Sequence, residues 1–251
     1  MKKLILLSSL FVFLFSACSK DSSVSNTGGG TGQGGSLARF TIVGNYLYTV
    51  DGEYLNVFDI SSNSKMTYKN KVQIGFGIEA IYPFRDKLFI ASNTAMYIYS
   101  ITNPETPTQE SQAQHLTGCD PVVANDSVAY LTIHGGNRCG SQINQLQVYD
   151  VKNISNPIFK KSYTLTNPMG LGMYQQHLYV CDNGTGIRIY DISNPYNPIA
   201  KQILTGENFV DVIIVPNLTS QTTLVCMLTD GVAFYDITDP TQIVKLGTVK
   251  N

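Results

Sequence analysis

The sequence predicts an all-β protein, a five-bladed β-propeller with four antiparallel strands per blade, on three observations. A five-residue strand followed by an Asx-type turn recurs five times: LNVFDISSN (55–63), MYIYSITNP (96–104), LQVYDVKNI (146–154), IRIYDISNP (187–195) and VAFYDITDP (232–240). The aligned Asp or Ser positions, 59, 100, 150, 191 and 236, are spaced by 41, 50, 41 and 45 residues, and self-similarity at such a period marks a repeat architecture. Each unit also divides into four short β-type runs between turn signals, with no helical periodicity, as a propeller blade requires.

From the N-terminus, Lys2 and Lys3 precede an uncharged apolar run of 12 residues from Leu4 to Phe15. The run is too short for the roughly 20 residues of a membrane-spanning helix and reads as a secretory signal. Phe15-Ser16-Ala17-Cys18 places small residues just ahead of a cysteine and resembles a bacterial lipoprotein lipobox, with Phe15 where Leu is usual. The resemblance implies a signal peptide over 1–17 and acyl chains on Cys18. These would anchor the protein by lipid in the cell envelope, at the outer membrane or cell surface. An ordinary secreted protein cleaved beside Cys18 is the alternative. Residues 18–36 are mostly Ser, Gly, Asn and Thr, a composition that buries no apolar surface and behaves as a flexible tether. The propeller domain then occupies 37–251. A formal net charge of −1 offers no global attraction to nucleic acid, and no nucleic-acid partner is expected.

Within the domain, the fourth unit shows the blade most plainly: LGMY, HLYVCD, GIRIYDIS and IAKQIL, separated by Gln-Gln, Asn-Gly-Thr-Gly and Asn-Pro-Tyr-Asn-Pro. The first unit reads FTIV, YLYTVD, LNVFDI and KVQI, and the fifth VDVIIV, TLVCML, VAFYDI and IVKLGTV. Third strands carry apolar or aromatic residues on both faces, as a sheet between two neighbouring sheets must. Tyr97, Tyr99, Tyr149, Tyr190 and Tyr235 therefore read as inter-blade filling, and the lack of Trp argues against a sugar-stacking platform. The recurring Asp59, Asp150, Asp191 and Asp236 read as turn formers whose carboxylates accept the N–H groups that follow. Four strands in both the first and the last unit leave ring closure to blade packing; a shifted phase, with 37–40 pairing onto the last blade, is the alternative.

The pentapeptides LNVFD, LQVYD, IRIYD and VAFYD, with the D-I-S-N-P that follows, resemble LVIVD repeats; MYIYS departs at its last position. The resemblance covers about residues 39–251. It implies a propeller in an extracytoplasmic setting, and no catalytic residues.

Function is sought where the repeat fails. The third unit is nine residues longer than its neighbours, and the excess lies in IHGGNRCGSQINQ (133–145). This segment opens on the same propeller face as HLTGCDP (115–121). Cys119 and Cys139 fall on those two loops, and in an exported chain a disulfide between them is the expected state. The rival readings are two free thiols, or a metal site drawing on His115, Cys119, Asp120, His134 and Cys139, although the spacing matches no zinc signature. No cofactor or metal is expected. Cys181 and Cys226, in second strands of separate blades, read as buried apolar groups, and His177 as a solvated turn residue. Glu79, Asp120 and Asp211 lie near the starts of first strands and would ring one channel mouth, as solvated rim carboxylates or as a site for a cation or basic group, and Arg138, beside Cys139, would add polar contacts on this face. His115, Asp120, His134, Arg138, Glu79 and Asp211 are thus the binding candidates. The function expected is a membrane-tethered extracytoplasmic binding or scaffolding module recognising a protein or ligand on one propeller face. The alternatives are a hydrolase- or lyase-type enzyme at the channel mouth and an envelope glycan-binding lipoprotein.

Overall fold

The computed structural model describes residues 34–62, 64–115, 121–136, 142–218 and 221–251. Its twenty strands form five sheets of four, each sheet contiguous in sequence and antiparallel throughout. Blade 1 is β1 (Phe40–Val43), β2 (Tyr46–Val50), β3 (Tyr54–Asp59) and β4 (Thr67–Gln73). Blade 2 is β5 (Ile78–Phe84), β6 (Lys87–Ser92), β7 (Ala95–Ser100) and β8 (Thr108–Gln114). Blade 3 is β9 (Val122–Ala124), β10 (Val128–Ile133), β11 (Gln145–Asp150) and β12 (Ile158–Thr164). Blade 4 is β13 (Pro168–Tyr174), β14 (His177–Asp182), β15 (Gly186–Asp191) and β16 (Ile199–Leu204), and blade 5 is β17 (Phe209–Leu218), β18 (Gln221–Leu228), β19 (Gly231–Asp236) and β20 (Val244–Lys250). The chain is a five-bladed β-propeller.

Each third strand ends on the motif's Asp or Ser, and the residue after the pentapeptide's third position carries the same irregularity in all five blades. The ladder to the fourth strand slips between Val57 and Phe58, Ile98 and Tyr99, Val148 and Tyr149, Ile189 and Tyr190, and Phe234 and Tyr235. Such a bulge bends the strand and increases its twist. The turn follows at once: Asp59, Asp150, Asp191 and Asp236 accept from the N–H two residues on, at 2.8 to 3.1 Å, and Ser100 Oγ from Thr102 at 3.3 Å. Lysines ten residues downstream add a second tie, Lys69 to Asp59, Lys160 to Asp150 and Lys201 to Asp191. The tyrosines do fill inter-blade space: Tyr99, Tyr149, Tyr190 and Tyr235 are buried, and Tyr97 half-buried.

The turn also joins blades. Tyr48 Oη donates to the Pro104 carbonyl of the next blade's turn at 2.9 Å, and Tyr130 Oη to that of Pro195 at 2.7 Å. A carbonyl fixed behind an Asx-Pro turn thus satisfies a phenol that burial would otherwise leave without a partner. Fourth strands are exposed for most of their length, and β4 is mostly polar. That is why β4 extends four residues ahead of the KVQI run in the sequence: an outer strand has no apolar alternation to reveal its start.

The last residues of the stretch expected as a tether, 18–36, are built into the fold. Gly35 and Ser36 are buried, Ser36 to 1 % exposure, so they belong to the propeller. The shifted closure phase is not adopted, since Phe40 pairs with Thr49 inside blade 1. The first 33 residues, with the expected signal over 1–17 and Cys18, lie outside the described residues.

Candidate functional site

First strands lie innermost, those of blades 1 to 4 each touching the next blade's first strand, and their unpaired edges face the axis. The four inter-blade connections and the turns between second and third strands form one face, here the upper face; the turns between first and second strands and the Asx-type turns after the third strands form the lower. At the upper mouth of the axis the chain folds its own N-terminal segment into place. Ala38 N–H donates to the Gly35 carbonyl at 3.0 Å, closing a turn over Gly35–Ala38. From that turn Ser36 Oγ donates to Asp211 Oδ1 at 3.0 Å and accepts from Leu171 N–H at 2.7 Å. Leu37 N–H donates to Asp211 Oδ2 at 3.2 Å, and the Ala38 carbonyl accepts from Ile81 N–H at 2.9 Å. Edge N–H groups of blades 2 and 4 thus find partners that a bare channel would supply only as water.

Asp211 is 5 % exposed. Burial pushes its carboxyl up to about 6, against the opposing pull of the N–H groups of Leu37 and Val212 and the hydroxyl of Ser36. Gly35 and Gly170 approach it so closely that a Cβ on either would overlap the carboxylate; a side chain there would displace the acid. A cavity of about 10 Å³ lies beside the turn, bounded by Gly34, Ser36, Tyr82, Val123, Met173 and Ile214.

A larger opening lies off the axis on the upper face, between blades 4 and 5. It is a polar cleft of about 380 Å³ bounded by Thr185, Thr205, Glu207, Asn208, Asp230 and Lys250. Glu207 pairs with Lys245 at 2.7 Å and Lys250 at 3.0 Å, and Lys250 also reaches Asp230 at 3.0 Å. The Lys245 and Lys250 ammonium groups hold the Glu207 carboxyl below its ordinary range.

The LVIVD repeat family model matches residues 34–73, 140–165 and 169–205. The chain carries LVIVD repeats within a five-bladed propeller. The matched segments are blade 1 with the turn that plugs the axis, the end of blade 3, and blade 4. No curated protein matches the chain. Among solved structures it is similar to a protein from Lactobacillus plantarum, at 14 % identity and a TM-score of 0.67, over 81 % of this chain and 67 % of that one. It is also similar to a putative 6-phosphogluconolactonase from Bacteroides fragilis, at 12 % and 0.62 over 84 % and 69 %, and to the periplasmic gluconolactonase of Pseudomonas aeruginosa, at 11 % and 0.62 over 82 % and 68 %. Identities this low show the fold alone. The chain spans about two thirds of the length of each of the three.

The sequence-predicted site residues scatter over this frame. Asp211 is no rim carboxylate in solvent; it is the buried anchor of the axial turn. Glu79 is half-buried on β5. His115 follows β8, its N–H donating to the Thr94 carbonyl at 3.1 Å. His134 opens the blade 3 insertion; burial lowers its affinity for a proton, and Nδ1 has no hydrogen-bond partner among the described residues. The insertion is tied to the next connection by Asn144, which accepts from Gly135 N–H at 2.8 Å and donates to the Thr166 carbonyl at 2.8 Å. Cys119, Asp120, Arg138 and Cys139 lie outside the described residues. Among those that are described, no three metal-ligating side chains converge. Cys181 and Cys226 are free and buried, their thiols pushed up by desolvation. His177 is not in the turn but is the first, half-buried residue of β14. Sequence reasoning missed Ser36, whose Ser/Gly surroundings read as linker, and the Glu207–Lys250–Asp230 cluster, whose members are distant in sequence and follow no repeat position.

Proposed function

We propose that this LVIVD propeller is an extracytoplasmic binding or scaffolding module, held at a membrane through lipid on Cys18, that presents its upper face to a protein or ligand. The observation that carries the reading is the axial turn. An enzyme at the channel mouth needs open space beside reactive groups, and Gly35–Ala38 fill that mouth while Ser36 and Leu37 occupy both oxygens of Asp211. Above the blades, among the described residues, lie the cleft of Glu207, Asp230 and Lys250 and the side chain of Phe76, which is 71 % exposed in the connection between blades 1 and 2. Polar pairs around an exposed aromatic are a common make-up of recognition surfaces.

Affinity capture from native membranes tests the reading. A partner retained by the wild-type chain and lost with Asp230→Lys plus Phe76→Ala, but kept with Arg85→Ala on the lower face, is the expected result. Turnover of a sugar lactone by the purified chain, abolished by combined substitution of Asp120, His134 and Arg138, would overturn it in favour of an enzyme. Cys18→Ala should move the protein from the membrane to the soluble fraction. A Cys119–Cys139 disulfide would pin the insertion on this face; a count of four free thiols at Cys119, Cys139, Cys181 and Cys226 by non-reducing mass spectrometry sinks that part.

A further inference from the structure

Four of the five seams in the ring are packed. Buried clusters join blade 1 to 2, blades 2, 3 and 4, and blade 4 to 5. No such cluster joins blade 5 to blade 1, and no strand of one packs extensively on a strand of the other among the described residues. The repeat makes the gap measurable, because each position on these two blades has an equivalent inside the ring.

By strand register, Val225, Met227, Val232 and Phe234 of blade 5 occupy the positions of Tyr179, Cys181, Ile187 and Ile189 in blade 4. The blade 4 residues face blade 5 and are 0 to 1 % exposed. Their blade 5 counterparts are open: Met227 is 51 % exposed, the other three are half-buried, and Val249 beside Val232 is 64 % exposed. Blade 1 mirrors this on its opposite face. Phe40, Leu47 and Phe58 stand where Ile81, Leu88 and Tyr99 stand in blade 2. The blade 2 set is buried against blade 1 at 0 to 2 % exposure, whereas Phe40 is 57 % exposed and Leu47 and Phe58 are half-buried. The ties across the other seams, such as Tyr48 to Pro104, Tyr130 to Pro195 and Gln202 to Pro240, have no counterpart here among the described residues. What spans this seam is the axial turn on Asp211.

We infer that this seam is a self-association surface, in which the open face of blade 5 in one copy packs on the open face of blade 1 in a second copy. The occupant follows from the repeat. Blade 5 exposes the kind of face that, at the four packed seams, receives the next blade, and blade 1 exposes the kind of face that is received. One chain therefore carries both halves of a contact it already makes four times. None of the residues named on the two faces is charged, so joining them strands no ion, and apolar faces of this extent are a mark of association. The contact is heterologous, blade 5 to blade 1, so it closes on itself or runs on to higher order.

Sedimentation equilibrium on the full chain carrying Cys18→Ala, which keeps lipid micelles out of the mass, tests the inference. The expected result is a dimer or larger species, reduced to monomer by Val249→Lys on blade 5 and, separately, by Phe40→Lys on blade 1. Ile203→Lys, on the exposed outer strand of blade 4, should leave the mass unchanged. Mixing the two monomeric variants should restore a dimer, because the intact blade 5 face of the Phe40→Lys chain meets the intact blade 1 face of the Val249→Lys chain. Unaltered circular dichroism in each variant excludes loss of fold as the cause of a monomer. A wild-type monomer throughout the concentration range, an assembly untouched by both lysines, or failure of the mixture to associate would each overturn it.

Discussion

Leu88 and Leu47 are the same residue at the same repeat position, one in blade 2 and one in blade 1, and they live in different surroundings. Leu88 is fully buried in the seam between blades 1 and 2; Leu47 is half-buried on the seam between blades 5 and 1. The difference teaches that burial in a repeat protein belongs to the interface between units, since a blade cannot cover its own faces. The sharpest test is therefore the paired truncation. Leu88→Ala should cost about 2–5 kcal/mol, the range for a buried large-to-small change, and Leu47→Ala less than half as much when chemical denaturation is followed on dilute protein. If a second copy covers blade 1, the Leu47→Ala cost should grow with protein concentration; equal costs at all concentrations would erase the distinction between the seams.

Asp211 sharpens the same comparison from the axis, where the weakest seam is held. Its carboxyl sits at about 6 in the folded chain, above the ordinary value near 3.9 for a free Asp. A raised carboxyl binds its proton more tightly when folded, so its contribution is most favourable below about pH 4 and is lost as pH rises toward 6. A shift of about two pH units corresponds to roughly 3 kcal/mol. Asp211→Asn should keep an acceptor for Ser36 and abolish this part of the pH dependence, seen as a flattened stability profile between pH 4 and 6.

Gly170→Ala attacks the anchor sterically. The added methyl would overlap the Asp211 carboxylate, and overpacking of this kind costs typically 1–3 kcal/mol. In the Asp211→Ala background the same change should be nearly neutral, a coupling that a double-mutant cycle on thermal stability would read. The smallest effect is expected at a packed seam's polar tie. Tyr130→Phe removes the bond to the Pro195 carbonyl and should cost about 1 kcal/mol, with no change in oligomeric state.

Much of the fold is legible in the sequence because a β-blade writes itself twice, in alternation and in punctuation. The FTIV run coincides with β1, HLYVCD with β14 and IAKQIL with β16. The pentapeptide's Asp ends its strand and makes its turn, as a carboxylate two residues ahead of free N–H groups will. The bulge before it is not legible, since both strand residues flanking it are apolar or aromatic in every blade. The candidate site is hardly legible at all. Asp211 was identifiable as a carboxylate at the start of a first strand, but its burial depends on Ser36, 175 positions away, within a stretch whose composition is that of a linker.

The sequence by itself determined that there are five units, that each is a four-stranded sheet, and that the repeated Asp and Tyr residues serve turns and inter-blade packing, because strand periodicity and turn chemistry are local. Tertiary structure decided that the N-terminal turn closes the axis over Asp211 and that four seams are packed while the fifth exposes its apolar faces. Those outcomes depend on the curvature with which one blade follows another, and no run of residues within a blade encodes where the last face will meet the first.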